Sequence, residues 1–179
     1  MKERAIFKVS NFLIDNGFEV AECCGIHSAF DIIAKKGQQI LLVKILSNIE
    51  ALNPKTGTDL KRVSNVVSGI PLVIGDHMKG KKLMNGVIYS RYEIRAVNFQ
   101  TFKNIIAGEL PNVHAIRGNY CVKINPDILA ELRKKFDMTQ EELANELGIS
   151  KQSIYRYESS GNISRDIAEK VIKILERIC

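Results

Sequence analysis

The stretch "TQEELANELGISKQSIYRYESSG", Thr139 to Gly161, constrains this chain more than any other. Thr139 with Glu142 three residues later is a capping box that opens a helix. Ala144 places a small residue where a second helix can cross closely. Gly148 follows four residues on and accepts the positive φ of a tight turn, and Ser150 caps the next helix. Leu143 and Leu147 before the turn, Ile149 within it, and Ile154 and Tyr157 after it fall at helical spacing and face one core. Two unrelated surface helices would have to meet all of these demands by accident. The pattern is a helix-turn-helix with Leu143, Ala144, Gly148 and Ile154 at its heart.

Once that core is set, Lys151, Gln152, Tyr155 and Arg156 must point outward. Gln reads adenine through N6 and N7, and Lys or Arg reads guanine through O6 and N7, so these are the expected base-facing residues. Gln140, Ser150 and Ser153 lie at helix starts, where hydroxyl, amide and backbone N–H groups suit phosphate contact. The expected partner is double-stranded DNA. One recognition helix reads only a few base pairs, so pairing on two half-sites, and hence a homodimer, is expected. The apolar C-terminal helix carrying Ile167, Val171, Ile174 and Ile178, and the hairpin around Tyr120, are the candidate pairing surfaces.

Composition agrees with a globular protein. The chain has 179 residues, 45% of them apolar and 26% charged. It contains no long apolar run, and its start, "MKERAIFKVSNFLIDNG", is charged and amphipathic, which argues against a membrane span or signal peptide and for a cytoplasmic protein. Cys23 and Cys24 adjoin, Cys121 is isolated, and His27, His77 and His114 are scattered. No CxxC pair supports zinc, so no metal or cofactor is expected and the cysteines read as structural. Net charge is +6. Residues 1–124 hold 17 Lys/Arg against 10 Asp/Glu, whereas residues 125–179 hold 9 against 10. The basic excess, which favours a polyanion partner, therefore lies outside the reading helix. Lys79, Lys81 and Lys82 in a basic loop, with Lys61 and Arg62 on the helix before it, are candidates for backbone contact.

The longer front segment reads as α-β-β-β-α-β. A helix over Lys2 to Asn16 stops at Gly17, and three strands follow at Phe18 to Cys23, Phe30 to Lys36 and Gln39 to Ile45, the last nearly all apolar and so central. A helix around Thr58 to Val67 leads to the buried strand "PLVIG". Further on come a strand and turn in "GVIYSRYEIRAVN", a short helix from Phe99 to Ala107, and a hairpin centred on Arg117-Gly118-Asn119. The reading is an α/β domain with a mixed sheet over residues 1–124, followed by an all-α domain over residues 125–179.

"LRKKFDMTQEELANELGISKQSIYRYESSG" resembles the Cro/repressor-type (XRE-like) helix-turn-helix family. The resemblance implies base-facing roles for Lys151, Gln152 and Arg156, backbone roles for Gln140 and Ser153, and an acidic residue, Glu158, after the recognition helix. One long helix from Ser164 or Arg165 stands where that family usually has two. "FDIIAKKGQQILLVKI" in turn resembles the core of archaeal Holliday-junction resolvases and other nucleases of the restriction-endonuclease fold. Those enzymes set an Asp on the second strand and Glu-x-Lys on the third, the carboxylates holding a metal ion. Asp31 and Lys44 match. Positions 42 and 44 share one side of a strand, and position 42 is Leu. The resemblance therefore implies a vestigial site with no catalytic residues, although Glu3 or Glu22 could supply a migrated carboxylate.

The whole chain is similar to the archaeal HTH-type transcriptional regulatory proteins, some of which continue well past this C-terminus. That implies a sequence-specific DNA-binding transcription regulator with an inactive, resolvase-like front domain, and not an enzyme. Two other functions are weighed beside it: a metal-dependent nuclease or resolvase aimed by its helix-turn-helix, and an antitoxin-like protein-interaction module.

Overall fold

The computed structural model describes residues 2–23, 28–109, 111, 113–116 and 119–176. The chain divides into two compact units, residues 1–111 and 112–179.

In the front unit, helix α1 (Lys2–Asp15) is followed by strands β1 (Glu19–Glu22), β2 (Ile32–Lys36) and β3 (Gln39–Asn48). Helix α2 (Pro54–Val66), strands β4 (Ile70–Met78), β5 (Lys81–Lys82), β6 (Val87–Arg91) and β7 (Ile94–Val97), and helix α3 (Phe99–Ile106) complete it. The sheet runs β1-β2-β3-β4-β7-β6, with β5 paired to β4. β4 is parallel to both β3 and β7 while the other pairings are antiparallel, so the sheet is mixed as the alternation of elements required. β3 is central because five consecutive residues, Leu41 to Ile45, are buried. Leu41, Val43 and Ile45 join Val9 and Leu13 of α1 and Phe102 of α3 in one core. Strand alternation sends Leu42 and Lys44 to the opposite face.

The segment expected as a basic loop is a β-hairpin. Lys79 and Gly80 both adopt positive φ, 50° and 72°, the geometry of a two-residue turn whose twist matches paired strands. The result is that Met78 pairs with Lys81 and His77 with Lys82.

The second unit opens with β8 (Val113–Ile116) and β9 (Asn119–Lys123), then α4 (Pro126–Lys135), α5 (Gln140–Leu147), α6 (Lys151–Ser160), β10 (Asn162–Ser164) and α7 (Arg165–Glu176). The expected boundary at residue 124 is corrected to 111. The hairpin belongs with the helices because β9 pairs with β10 as well as with β8, and Val122 and Ile124 pack on the helical core. The helical unit thus carries a short strand that three residues, Asn162 to Ser164, could not announce. Gly161 makes it possible: at φ 67° it ends α6, and its carbonyl accepts the Ile124 N–H at 2.8 Å. No Cβ fits there, since it would collide with the Ile124 carbonyl oxygen.

The core of this unit holds Leu129, Leu143, Ala144, Leu147, Ile154, Tyr157, Ile163, Ile167 and Val171. Ile167 and Val171 are therefore spent inside the unit, and Ile174 packs against it. That corrects the expectation of α7 as a free pairing face; Ile178 lies outside the described residues. Tyr120 on β9 stays 39% exposed. No described helix is long and apolar enough to cross a membrane.

Candidate nucleic-acid interface

Each local signal in the reader has become geometry. Thr139 Oγ1 accepts the Glu142 N–H at 3.2 Å, and Glu142 accepts the Thr139 N–H at 2.7 Å, closing the capping box. The Thr139 N–H and hydroxyl, both donating to the Glu142 carboxylate, hold it below its ordinary range. Gly148 caps α5 at φ 70°, and Lys170 of α7 donates to the Leu147 carbonyl at 2.9 Å, satisfying a helix-end acceptor. Ser150 Oγ accepts the Ser153 N–H at 3.2 Å and lies 3.0 Å from Ser153 Oγ. Both hydroxyls therefore stand at the start of α6, with Ser150 exposed and Ser153 half-buried.

α6 is divided by burial. Ile154 and Tyr157 are buried, while Lys151, Gln152, Tyr155 and Arg156 are exposed, Tyr155 at 64%. The spacing i, i+1, i+4, i+5 gathers these four on one side of the helix. Lys151 Nζ lies 3.8 Å from Glu141, both side chains well exposed, a contact weak enough to yield to a phosphate or a base. The Arg156 guanidinium sits 5.7 Å from the Tyr157 ring centroid, which steadies it without consuming its donors.

Gln140 has a different partner from the phosphate expected of it. Its amide donates to Glu158 at 2.8 Å. Glu158 also accepts from Arg133 Nε at 2.8 Å, and Arg133 donates onward to the Met138 carbonyl at 3.0 Å. One carboxylate thus joins α4, α5 and α6. Burial pushes the Glu158 carboxyl up, but the Arg133 and Gln140 hydrogen bonds, with the charges of Arg133 and Lys134, outweigh it and leave it lowered. The Arg133 guanidinium is raised, chiefly by its hydrogen bond to Glu158. Nothing local in the sequence marks Arg133, since its partner lies 25 residues away. The Lys170 cap, 23 residues from Leu147, was equally hidden.

In the front unit, Lys79, Lys81 and Lys82 are exposed on the β4–β5 hairpin. The Lys79 N–H is held by Glu50 at 2.9 Å, which anchors the turn and leaves the ammonium groups outside. Lys61 and Arg62 are less available: Lys61 meets Glu93 at 2.8 Å, lowering the Glu93 carboxyl, and Arg62 lies 3.9 Å from Asp59.

Asp31 and Lys44 do come together, 3.2 Å apart and nearly buried. Asp31 Oδ1 also meets Lys2 at 2.9 Å, and its Oδ2 accepts the Ile45 N–H at 2.7 Å. Lys44 donates in addition to the Ser28 carbonyl at 2.7 Å. Leu42, where a second carboxylate would stand, is fully buried, and Glu3 and Glu22 are exposed on α1 and β1. A divalent cation needs several oxygen ligands. Here the carboxylate is already occupied by two ammonium groups and a backbone N–H, so these residues do not fit such an ion. Among the described residues no group of three His, Cys, Asp or Glu could hold a metal. Cys23 and Cys121 are half-buried free thiols; Cys24 and His27 lie outside the described residues.

Comparison with known proteins agrees with both halves. Residues 129–177 match a helix-turn-helix family model. The chain is 36% identical over 177 residues to "Putative HTH-type transcriptional regulatory protein MJ1164" of Methanocaldococcus jannaschii, covering 98% of this chain and 55% of that protein. It is 35% identical over 176 residues to a protein of the same description, Ta1363, from Thermoplasma acidophilum, covering 98% and 56%. A third, NP_1320A of Natronomonas pharaonis, is 34% identical over 171 residues, covering 94% and 54%. The chain thus spans about half the length of the curated relatives it matches. Residues 2–111, more than half of this chain, match the model of a PD-(D/E)XK superfamily domain, and to that family the chain belongs.

Proposed function

We propose that this chain is a sequence-specific regulator of transcription that binds double-stranded DNA as a homodimer in the cytoplasm, and that its front unit does not cut DNA. The observation that carries the reading is the division of α6, with Ile154 and Tyr157 buried and Lys151, Gln152, Tyr155 and Arg156 presented together. Gln140, Ser150 and Ser153 would meet the flanking phosphates, Gln140 through the backbone N–H at the start of α5, which its side-chain bond to Glu158 does not use. Lys79, Lys81 and Lys82 would add sequence-independent contact. The relatives named as transcriptional regulators support the regulatory role. Occupation of Asp31 by Lys2 and Lys44, with Leu42 beside them, supports the absence of cleavage.

Selection of bound duplexes from a random library tests the reading. A two-fold-related sequence should emerge, with half-sites about 34 Å apart. Gln152→Ala and Arg156→Ala should each lose about 1–3 kcal/mol of discrimination at one position of each half-site while keeping non-specific affinity. Unchanged preference in both variants would overturn the assignment of α6, and cleavage of the selected duplex with magnesium or manganese would overturn that of the front unit.

A further inference from the structure

Helix α1 turns one side to the sheet and the other to solvent. Val9 and Leu13 are buried in the core of the front unit, as the amphipathic spacing requires. On the outer side Arg4, Phe7, Asn11 and Ile14 are all exposed, and their steps of three, four and three residues set them in one seam. Phe7 is 64% exposed and Ile14 54%, so two large apolar side chains face solvent two turns apart. Arg4 and Asp15 lie along one flank of that seam, near its opposite ends. Among the described residues neither meets an opposite charge within ion-pair distance. Lys8 on the same flank is held over the Phe99 ring, its Nζ 4.6 Å from the centroid. The outer side of α1 thus carries an apolar stripe with a cation at its start and an anion at its end. That pattern complements itself when reversed.

We infer that α1 pairs with α1 of a second copy, antiparallel and about a two-fold axis. This names the pairing surface of the homodimer proposed above, and the inference rests on that reading. An axis crossing the helix between Ser10 and Asn11 sets Phe7 level with Ile14 of the second copy, and Ile14 level with its Phe7. The same axis lays each flank against its own counterpart. Asp15 then comes level with the turn between Arg4 and Lys8 of the second copy, so each end of the pair can close an ion pair. Charge fixes the direction: a parallel pair would set Arg4 beside Arg4 and Asp15 beside Asp15, which repel. Charge also favours a second copy over an unrelated helix, because both halves of the complement already stand on one segment. Size sets the strength. With 14 residues α1 is about 21 Å long, and one such face falls short of the roughly 800 Å² per partner of a standard interface. The pair is therefore weak alone, dissociating in the micromolar range, and is reinforced where a duplex holds two copies together.

Sedimentation equilibrium of the full chain at low salt tests this. The chain should pass from monomer to dimer across the micromolar range. Phe7→Ser should weaken pairing about tenfold per contact, hence about a hundredfold per dimer, since two-fold symmetry counts the change twice. The melting temperature of the dilute protein should hold, because Phe7 is exposed. Arg4→Asp and Asp15→Arg should each pair poorly alone. An equimolar mixture of the two should pair as well as the native chain, since every facing charge is then opposite. A dimer unaffected by Phe7→Ser, or a mixture that pairs no better than its components, would overturn the inference and leave the homodimer to another surface. A chain monomeric throughout the range would overturn it too, and the homodimer reading would then stand or fall on the two-fold symmetry of the selected duplex.

Discussion

Glu158 should be the most costly surface-proximal residue of the reader to remove. Its side chain is 10% exposed and that of Arg133 17%. It accepts three hydrogen bonds, from Arg133 Nε at 2.8 Å, Arg133 Nη2 at 3.4 Å and Gln140 Nε2 at 2.8 Å. Removing one partner of a fully buried pair costs about 3–5 kcal/mol, because a charge is stranded. The remaining exposure lets water reach Arg133, so Glu158→Ala is expected to cost about 2–3 kcal/mol. With urea slopes of about 1–3 kcal/mol/M, the midpoint should fall by roughly 0.7–3 M. The control is Glu169→Ala, which removes an exposed i,i+4 pair with Arg165 at 3.1 Å and should cost at most about 0.5 kcal/mol. The Glu158 carboxyl is depressed in the folded state, so its stabilisation is complete above the ordinary Glu value of about 4.3 and is lost as pH falls through the lower folded value. Glu158→Gln should therefore flatten the acid limb of stability below about pH 4.3. Equal urea midpoints for Glu158→Ala and Glu169→Ala, or an unchanged acid limb in Glu158→Gln, would refute the account of this carboxylate as the joint of three helices.

Three further outcomes are expected. Gly161→Ala should cost more than about 2 kcal/mol by urea unfolding, since positive φ alone costs about 1–2 kcal/mol and the new Cβ meets the Ile124 carbonyl and the Pro126 ring. Asp31→Ala should destabilise by about 3 kcal/mol in the same measurement, because the nearly buried Lys44 would lose its carboxylate partner. Replacing Lys79, Lys81 and Lys82 together by Gln should weaken all duplexes alike, and flatten the salt dependence of log K by about 0.9 for each lysine that meets a phosphate; a change in the preferred sequence would contradict a backbone role.

What was legible in the sequence was what is settled locally. Thr139, Glu142, Gly148 and Ser150 act within four residues of their own positions, so spacing alone placed the turn and hence the outward face of α6. β3 was legible because a strand buried on both faces must be apolar almost throughout. Asp31 and Lys44 were legible through the resemblance of "FDIIAKKGQQILLVKI" to a nuclease core, but the approach of Lys2 was not, since it depends on where α1 docks. β10 was missed for the same reason: Asn162, Ile163 and Ser164 become a strand only because β9 lies 39 to 43 residues earlier at the right place. Reading Ile167 and Val171 as a free face assumed that the reader's core was filled by α4 to α6, whereas α7 completes it.

The pairing of β9 with β10 also decides how the reader can be moved. A cut at Asn125, where composition changes, would leave the three helices and α7 but remove the strand to which Ile163 is bonded and the Val122 side chain that closes the core. The portable piece begins at residue 112. Gene fusions, swaps of recognition helices between relatives, and limited proteolysis should all respect that seam. The thirteen or so residues ahead of the first helix are thus not a tether between two modules but the first component of the second one, and shuffling that breaks the chain behind them should yield a reader that is incomplete before it meets any DNA.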